Sequence, residues 1–174
     1  FLHSSDKAKL WAQLAAQHDG EDRWYLESLG IGAGSDWDAC LAALLELQGK
    51  GISEKAARDI IWRSRAKQTP ELLAKFVTHQ QTSLADVPRY FRAFDFQTGN
   101  EKDSILFDLA FGYTGHGDEE KVKFVQAEAV KRLGSFDIKT DTKALAALNK
   151  MLDKLRGTSQ FVQLVTKFKL ADRY

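Results

Sequence analysis

The sequence predicts an all-α fold, and three observations carry that prediction. Apolar residues recur at spacings of three and four along most of the chain, which places them on one face of a helix. No segment shows the two-residue alternation of a half-buried strand. The two prolines, Pro70 and Pro88, and most of the 12 glycines fall between the periodic segments, as expected of helices joined by short turns.

Leu10, Trp11 and Leu14 form the apolar stripe of a first helix, which Asp19-Gly20 ends. Trp24, Tyr25 and Leu29 belong to a second, stopped by the glycines at 30, 32 and 34. Ser35 with Asp38 reads as a capping-box-like start, its side chains taking up free amide donors. The third helix then carries Trp37, Cys40, Leu41, Leu44 and Leu45 on one face. A fourth runs from about Ser53 through Ile60, Ile61 and Trp62. Thr69-Pro70-Glu71 is the sharpest start signal: a cap, a proline in the first turn, and an acid at the positive end of the helix dipole. Leu72, Leu73, Phe76 and Val77 follow it. After Asp86-Val87-Pro88 comes an aromatic helix with Tyr90, Phe91 and Phe94. Asn100 caps the next, with Ile105, Leu106, Leu109 and Ala110. Asp118-Glu119-Glu120 opens an eighth, with Val122, Val125, Ala129 and Leu133 facing inward. Leu145, Leu148, Leu152 and Leu155 mark the ninth, and Phe161, Leu164, Val165 and Phe168 the tenth.

The first helix of each pair starts near residues 5, 35, 70, 101 and 140. Intervals of roughly 30–39 residues are those of repeated helical hairpins. A single hairpin cannot bury both of its apolar faces, whereas stacked neighbours share a continuous core. The expected architecture is an α-solenoid of about five HEAT-like hairpins in a right-handed superhelix, one domain over residues 1–174; a compact irregular bundle is the alternative. The chain opens on Phe1-Leu2-His3, and is read as part of a longer polypeptide.

Composition excludes several function classes. Hydrophobic residues make up 44% of the 174 and charged residues 28%, close to the globular average and unlike a disordered chain. With 25 basic and 24 acidic residues there is no basic excess, and no nucleic-acid partner is expected. No apolar stretch is long enough to span a bilayer, so direct membrane insertion is not expected. A lone cysteine, Cys40, allows neither an internal disulfide nor a thiolate metal cluster.

Candidate chemical motifs each have a plainer explanation. Gly30-Ile31-Gly32-Ala33-Gly34 lacks the preceding strand and the lysine of a phosphate loop, and reads as an inter-helix turn. His116-Gly117-Asp118-Glu119-Glu120 gathers possible metal ligands, but acids at a helix start are what capping demands. His3, His18 and His79 show no metal-ligand spacing. Cys40 sits among Trp37, Leu41 and Leu44 as a small core residue. No catalytic residue, metal or cofactor is expected, and the chain is read as a non-enzyme. One surface feature stands out: Arg58, Trp62, Arg63, Arg65, Arg89, Tyr90 and Arg92 set arginines beside aromatics on successive second helices. Lined along a concave face they would make a groove for an anionic or carbohydrate ligand, or for an acidic partner segment. The rival reading is a ladder in which Asp59 and Asp95 pair with arginines of neighbouring repeats.

Three stretches carry a family resemblance: residues 19–33 (DGEDRWYLESLGIGA), 57–66 (ARDIIWRSRA) and 89–96 (RYFRAFDF). They resemble the helical region of large bacterial proteins described as membrane-bound or sorbosone-type dehydrogenases, in which a β-propeller is followed by HEAT-like repeats and a C-x-x-C-H cytochrome domain. The likeness covers about the first hundred residues well and the rest loosely. It implies a periplasmic or cell-surface spacer between propeller and haem domain, whose partners are the flanking domains of the same chain or a docking protein. The present sequence has no C-x-x-C-H and no propeller blade, so the parent enzyme's active residues would lie elsewhere.

Overall fold

A computed structural model describes residues 4–47, 54–115, 118–133 and 142–170. Among them are ten helices and no strand: α1 (Ser4–Ala15), α2 (Arg23–Ala33), α3 (Trp37–Leu47), α4 (Glu54–Arg63), α5 (Thr69–Thr78), α6 (Val87–Phe94), α7 (Asn100–Phe111), α8 (Glu119–Arg132), α9 (Thr142–Leu155) and α10 (Ser159–Lys167). The odd-numbered helices begin at residues 4, 37, 69, 100 and 142.

Neighbours in sequence pack as hairpins: α1 with α2, α5 with α6, α7 with α8, and α9 with α10. Between hairpins, odd helices meet odd and even meet even, and α4 also packs on α5, the helix that follows it. α1 packs on α3, α5 on α7 and α7 on α9, while α2 packs on α4, α4 on α6 and α6 on α8. The core between these rows is apolar and closed, with Leu41, Leu44, Ile60, Leu73, Phe91, Phe94, Leu106, Leu148 and Leu152 fully or almost fully buried. Burying one such side chain stabilises by about 1.5–3 kcal/mol, which is why the apolar spacing dictates the helices.

Local chemistry sets several helix starts. The Asp22 carboxylate accepts from the backbone N–H of Trp24 at 2.8 Å and of Tyr25 at 3.0 Å, capping α2. Asp118 accepts from the N–H of Lys121 at 2.9 Å to cap α8, and Thr158 caps α10 through the N–H of Phe161 at 3.2 Å. Pro70 lies in the first turn of α5, where its missing N–H has no intrahelical role.

The structure departs from the sequence reading at several places. In α1 the buried face is Ala8, Trp11, Ala12 and Ala15, while Leu10 and Leu14 are half exposed. The small alanines let α3 approach closely, and this choice of face turns both leucines outward. Trp24 likewise stands 80% exposed, because α2 buries Leu26, Leu29, Gly30 and Ala33 instead. Gly30 and Gly32 do not stop α2, which runs on to Ala33 and ends at Gly34 in the left-handed region (φ 55°). Gly30 serves close packing: a Cβ there would fall 2.7 Å from the guanidinium carbon of Arg63. Asp38 does not cap α3 but accepts from the backbone N–H of Lys67 at 2.7 Å, tying α3 to the approach to α5. Asn100 is the first residue of α7 rather than its cap, which is Gly99. Readings that involved Phe1, Leu2, His3, Ser53, His116 and Gly117 lie outside the described residues.

Candidate functional site

The even-numbered helices carry most of the arginines singled out in the sequence, and the structure gives each a definite setting. Arg63 donates from Nε to Glu27 of α2 at 2.8 Å, across 36 residues. Arg89 of α6 pairs with the buried carboxylate of Asp59 on α4, across 30 residues. Arg132 of α8 donates from Nε to Asp95, beyond the end of α6, at 2.8 Å and across 37 residues, and also pairs with Glu128 at 2.7 Å. Each arginine thus reaches back to the preceding even helix or its end, forming a ladder. Exposed ion pairs contribute about 0–1 kcal/mol. Arg63 and Arg132, whose side chains are about one-fifth exposed, sit toward the upper end of that range.

Arg58 and Tyr90 meet directly. The guanidinium of Arg58 donates to the Tyr90 hydroxyl at 3.1 Å, to Thr82 at 3.2 Å and to Glu54 at 2.7 Å, and lies over the Phe76 ring at 4.9 Å. Burial works against its charge, but the bonds to Tyr90 and Glu54 outweigh it and hold the pKa above the ordinary value. Arg65 donates to the carbonyls of Arg63 and Ser64, both at 2.8 Å, and stacks on Phe96 at 4.8 Å. It completes the C-terminus of α4. Burial, with the neighbouring Arg63 charge, lowers its pKa. Arg92 is exposed, and its side chain makes no hydrogen bond or ion pair among the described residues. The sequence-predicted residues therefore fall into ladder rungs at Arg63 and Arg89, a buried knot around Arg58, a helix cap at Arg65 and an exposed cation at Arg92. Of them, Trp62 and Arg89 line a common cleft.

That cleft, about 240 Å³, lies where the α1–α2 turn, α2, α4 and α6 meet. From the turn and α2 come His18, Asp22, Arg23 and Glu27; from α4, Asp59 and Trp62; from α6, Arg89. The Trp62 indole N–H donates to the backbone carbonyl of Arg89 at 3.0 Å, and the Arg89 guanidinium lies 5.5 Å from the Trp62 ring centre. Arg23 projects into solvent at the first position of α2 and has no partner among the described residues.

His18 is the unusual member. Its side chain is 2% exposed, its ring stacks in parallel on Tyr25 at 6.0 Å, and neither ring nitrogen has a hydrogen-bond partner. Nε2 stands 3.9 Å from Asp59 Oδ2 and Nδ1 stands 4.0 Å from Asp19 Oδ1, beyond hydrogen-bonding reach. Leaving a buried polar group unsatisfied costs about 1–3 kcal/mol, so the position calls for a reason. Sequence reading does not single out His18, Arg23 or Glu27 as a site. No local spacing marks them, because the cleft is completed by Asp59 and Trp62 of α4 and Arg89 of α6.

Cys40 is fully buried, and that burial raises its thiol pKa, which makes it a poor nucleophile. Among the described residues no three His, Cys, Asp or Glu side chains gather to hold a metal ion. No helix there is long and apolar enough to cross a membrane. Compared with protein-family models, curated proteins and solved structures, the chain matches none.

Proposed function

We propose that this chain is a non-enzymatic helical-repeat scaffold: an α-solenoid of about five HEAT-like hairpins, wound as a right-handed superhelix, that holds flanking domains apart or docks a protein partner. The observation that carries the reading is the ladder Arg63–Glu27, Arg89–Asp59 and Arg132–Asp95. Side-chain ties that recur at 30 to 37 residues, together with odd-on-odd and even-on-even packing, are what successive equivalent hairpins produce.

Docking is supported by the outer side of the first hairpin. Trp24 is 80% and Ile31 78% exposed, one face of α2 turned away from α4, with Leu10 and Leu14 half exposed on α1. Trp24 and Ile31, seven residues apart, share one face of α2, and exposed large apolar side chains on one helix face are favoured where another protein surface covers them. The family resemblance supplies the setting: a spacer between a propeller and a haem domain in an exported redox protein, with those flanking domains as its protein contacts.

The test is the intact mass and visible absorption spectrum of the native polypeptide from its source organism. A much larger chain with a haem Soret band supports the spacer. A free chain of 174 residues without visible absorption refutes that setting. Substrate turnover by the purified chain, abolished by one polar substitution, refutes the non-enzymatic reading.

A further inference from the structure

We infer that the cleft between the α1–α2 turn, α4 and α6 is a binding site for a small neutral polyhydroxylated ligand, one sugar unit in size. The inference is independent of the scaffold reading. It rests on what the lining residues leave unused.

Charge argues first. The cleft brings together Arg23 and Arg89 with Glu21, Asp22, Glu27 and Asp59, and Lys55 and Arg63 pair with Glu21 and Glu27 from behind. Asp19, 4.0 Å from His18 Nδ1, adds a fifth carboxylate against these four cations, so an anion entering beside Arg23 and Arg89 would meet an excess of carboxylates. A neutral ligand that both donates and accepts faces no such penalty, and hydroxyl groups do both. The free capacity matches. Arg23 and the remaining N–H groups of Arg89 donate; Asp59 Oδ2 and the second oxygen of Glu27 accept. Adjacent hydroxyls on a ring can take a bond from Arg89 and give one to Asp59, while the half-buried Trp62 supplies an apolar wall.

His18 points to the same ligand. An imidazole buried with both nitrogens unbonded is unusual unless a bound group satisfies it. The 3.9 Å between Nε2 and Asp59 Oδ2 is too long for a direct bond, but a hydroxyl oxygen at about 2.8 Å from each spans it. The ring is 2% exposed and stacks on Tyr25, so this bridge requires a small rotation about χ2 that brings Nε2 to the cleft. The volume of about 240 Å³ lies below the range of roughly 300–1,000 Å³ typical of drug-sized ligands, and suits one monosaccharide unit.

The experiment is titration of the ¹⁵N-labelled chain with glucose, galactose and mannose at millimolar concentrations, with inorganic phosphate and acetate as charged controls. The reporters are the Trp62 indole N–H and the backbone amides of His18 and Asp59. At least one sugar is expected to shift these signals saturably while the indoles of Trp11, Trp24 and Trp37 stay fixed. Affinity is expected to fall at least tenfold in His18→Phe. Arg23→Ala removes an exposed side chain with no partner among the described residues, so it leaves the fold intact, and it is expected to weaken binding severalfold. Saturation by none of the sugars overturns the proposal. So does saturation by phosphate or acetate alone, or sugar binding that both variants retain in full.

Discussion

Lys121 offers the most direct test of how the hairpins are held together. It lies in the first turn of α8, is 4% exposed, and donates from Nζ to the backbone carbonyls of His79 and Thr82, each at 2.7 Å. The turn between α5 and α6 is thereby anchored to α8. Lys121→Met keeps the aliphatic stem and removes the donors. A hydrogen bond from a charged donor contributes about 1.5–3 kcal/mol, so two amount to roughly 3–6 kcal/mol before the ammonium's desolvation is counted against them. Desolvation is relieved in the variant, but the buried Thr82 carbonyl is left unsatisfied, at a cost of about 1–3 kcal/mol. The net expectation is a loss of about 2 kcal/mol, or roughly 4–8 °C in Tm for a chain of this size.

Burial lowers the Lys121 pKa below its ordinary 10.5, and the nearby Asp118 only partly offsets this. Between the lowered value and 10.5 the unfolded chain holds a proton that the folded chain has released, so stability rises with pH through that window. The uncharged amine still donates to both carbonyls. Wild type should therefore gain on the methionine variant as pH is raised toward 10.5. Urea denaturation followed by circular dichroism, at neutral pH and in steps above it, measures both effects. A methionine variant as stable as wild type at neutral pH, or a gap that closes at alkaline pH, refutes the reasoning.

The ladder predicts coupling between Arg63 and Glu27: a double-mutant cycle with Arg63→Met and Glu27→Gln should return about 0.5–1 kcal/mol, and additive losses would show that the pair contributes nothing. Gly30→Ala gains about 1 kcal/mol of helix propensity but drives a methyl into the Arg63 guanidinium. It should therefore stabilise an Arg63→Met background and be neutral or destabilising in wild type, as compared by thermal melts. Trp62→Phe removes the N–H donated to the Arg89 carbonyl and should cost about 1 kcal/mol, read by urea titration. Cys40, buried with a raised pKa, should resist a disulfide exchange reagent in the native state and react at once in denaturant; fast native labelling would contradict its place in the core.

The helices are legible in the sequence because their signals are local. The acids at the Asp118 start, Pro70 in a first turn, and runs such as Leu145 to Leu155 each act within a few turns of chain. Which face of α1 turns inward is not legible. Leu10 and Leu14 are more apolar than Ala8, Ala12 and Ala15, yet the alanines are buried because α3 needs a close approach, and that preference belongs to the pair of helices. Glycines mislead for a related reason. Gly30 looks like a stop, but its lack of a side chain makes room for Arg63 from another hairpin. For the arginines, the clustering with aromatics is visible in the residue order, but what each one meets is not: Arg65 turns to its own helix end, whereas Arg89 reaches Asp59. The His18 cleft joins separate segments of chain, and no spacing rule reaches that far.

The span of each side-chain tie has a mechanical meaning. The ties from Arg63, Arg89, Arg132 and Lys121 reach 30 to 42 residues, far less than the whole chain. In the solenoid proposed above, a load drawn along the chain would pass from link to link in series, and each clasp would bear it in turn. The clasps differ: one is a half-exposed arginine on a sunken carboxylate, another an ammonium held by two carbonyls. Stretching of the proposed solenoid would then be a series of separate yields, with the most weakly clasped hairpin lengthening first while its neighbours keep their shape.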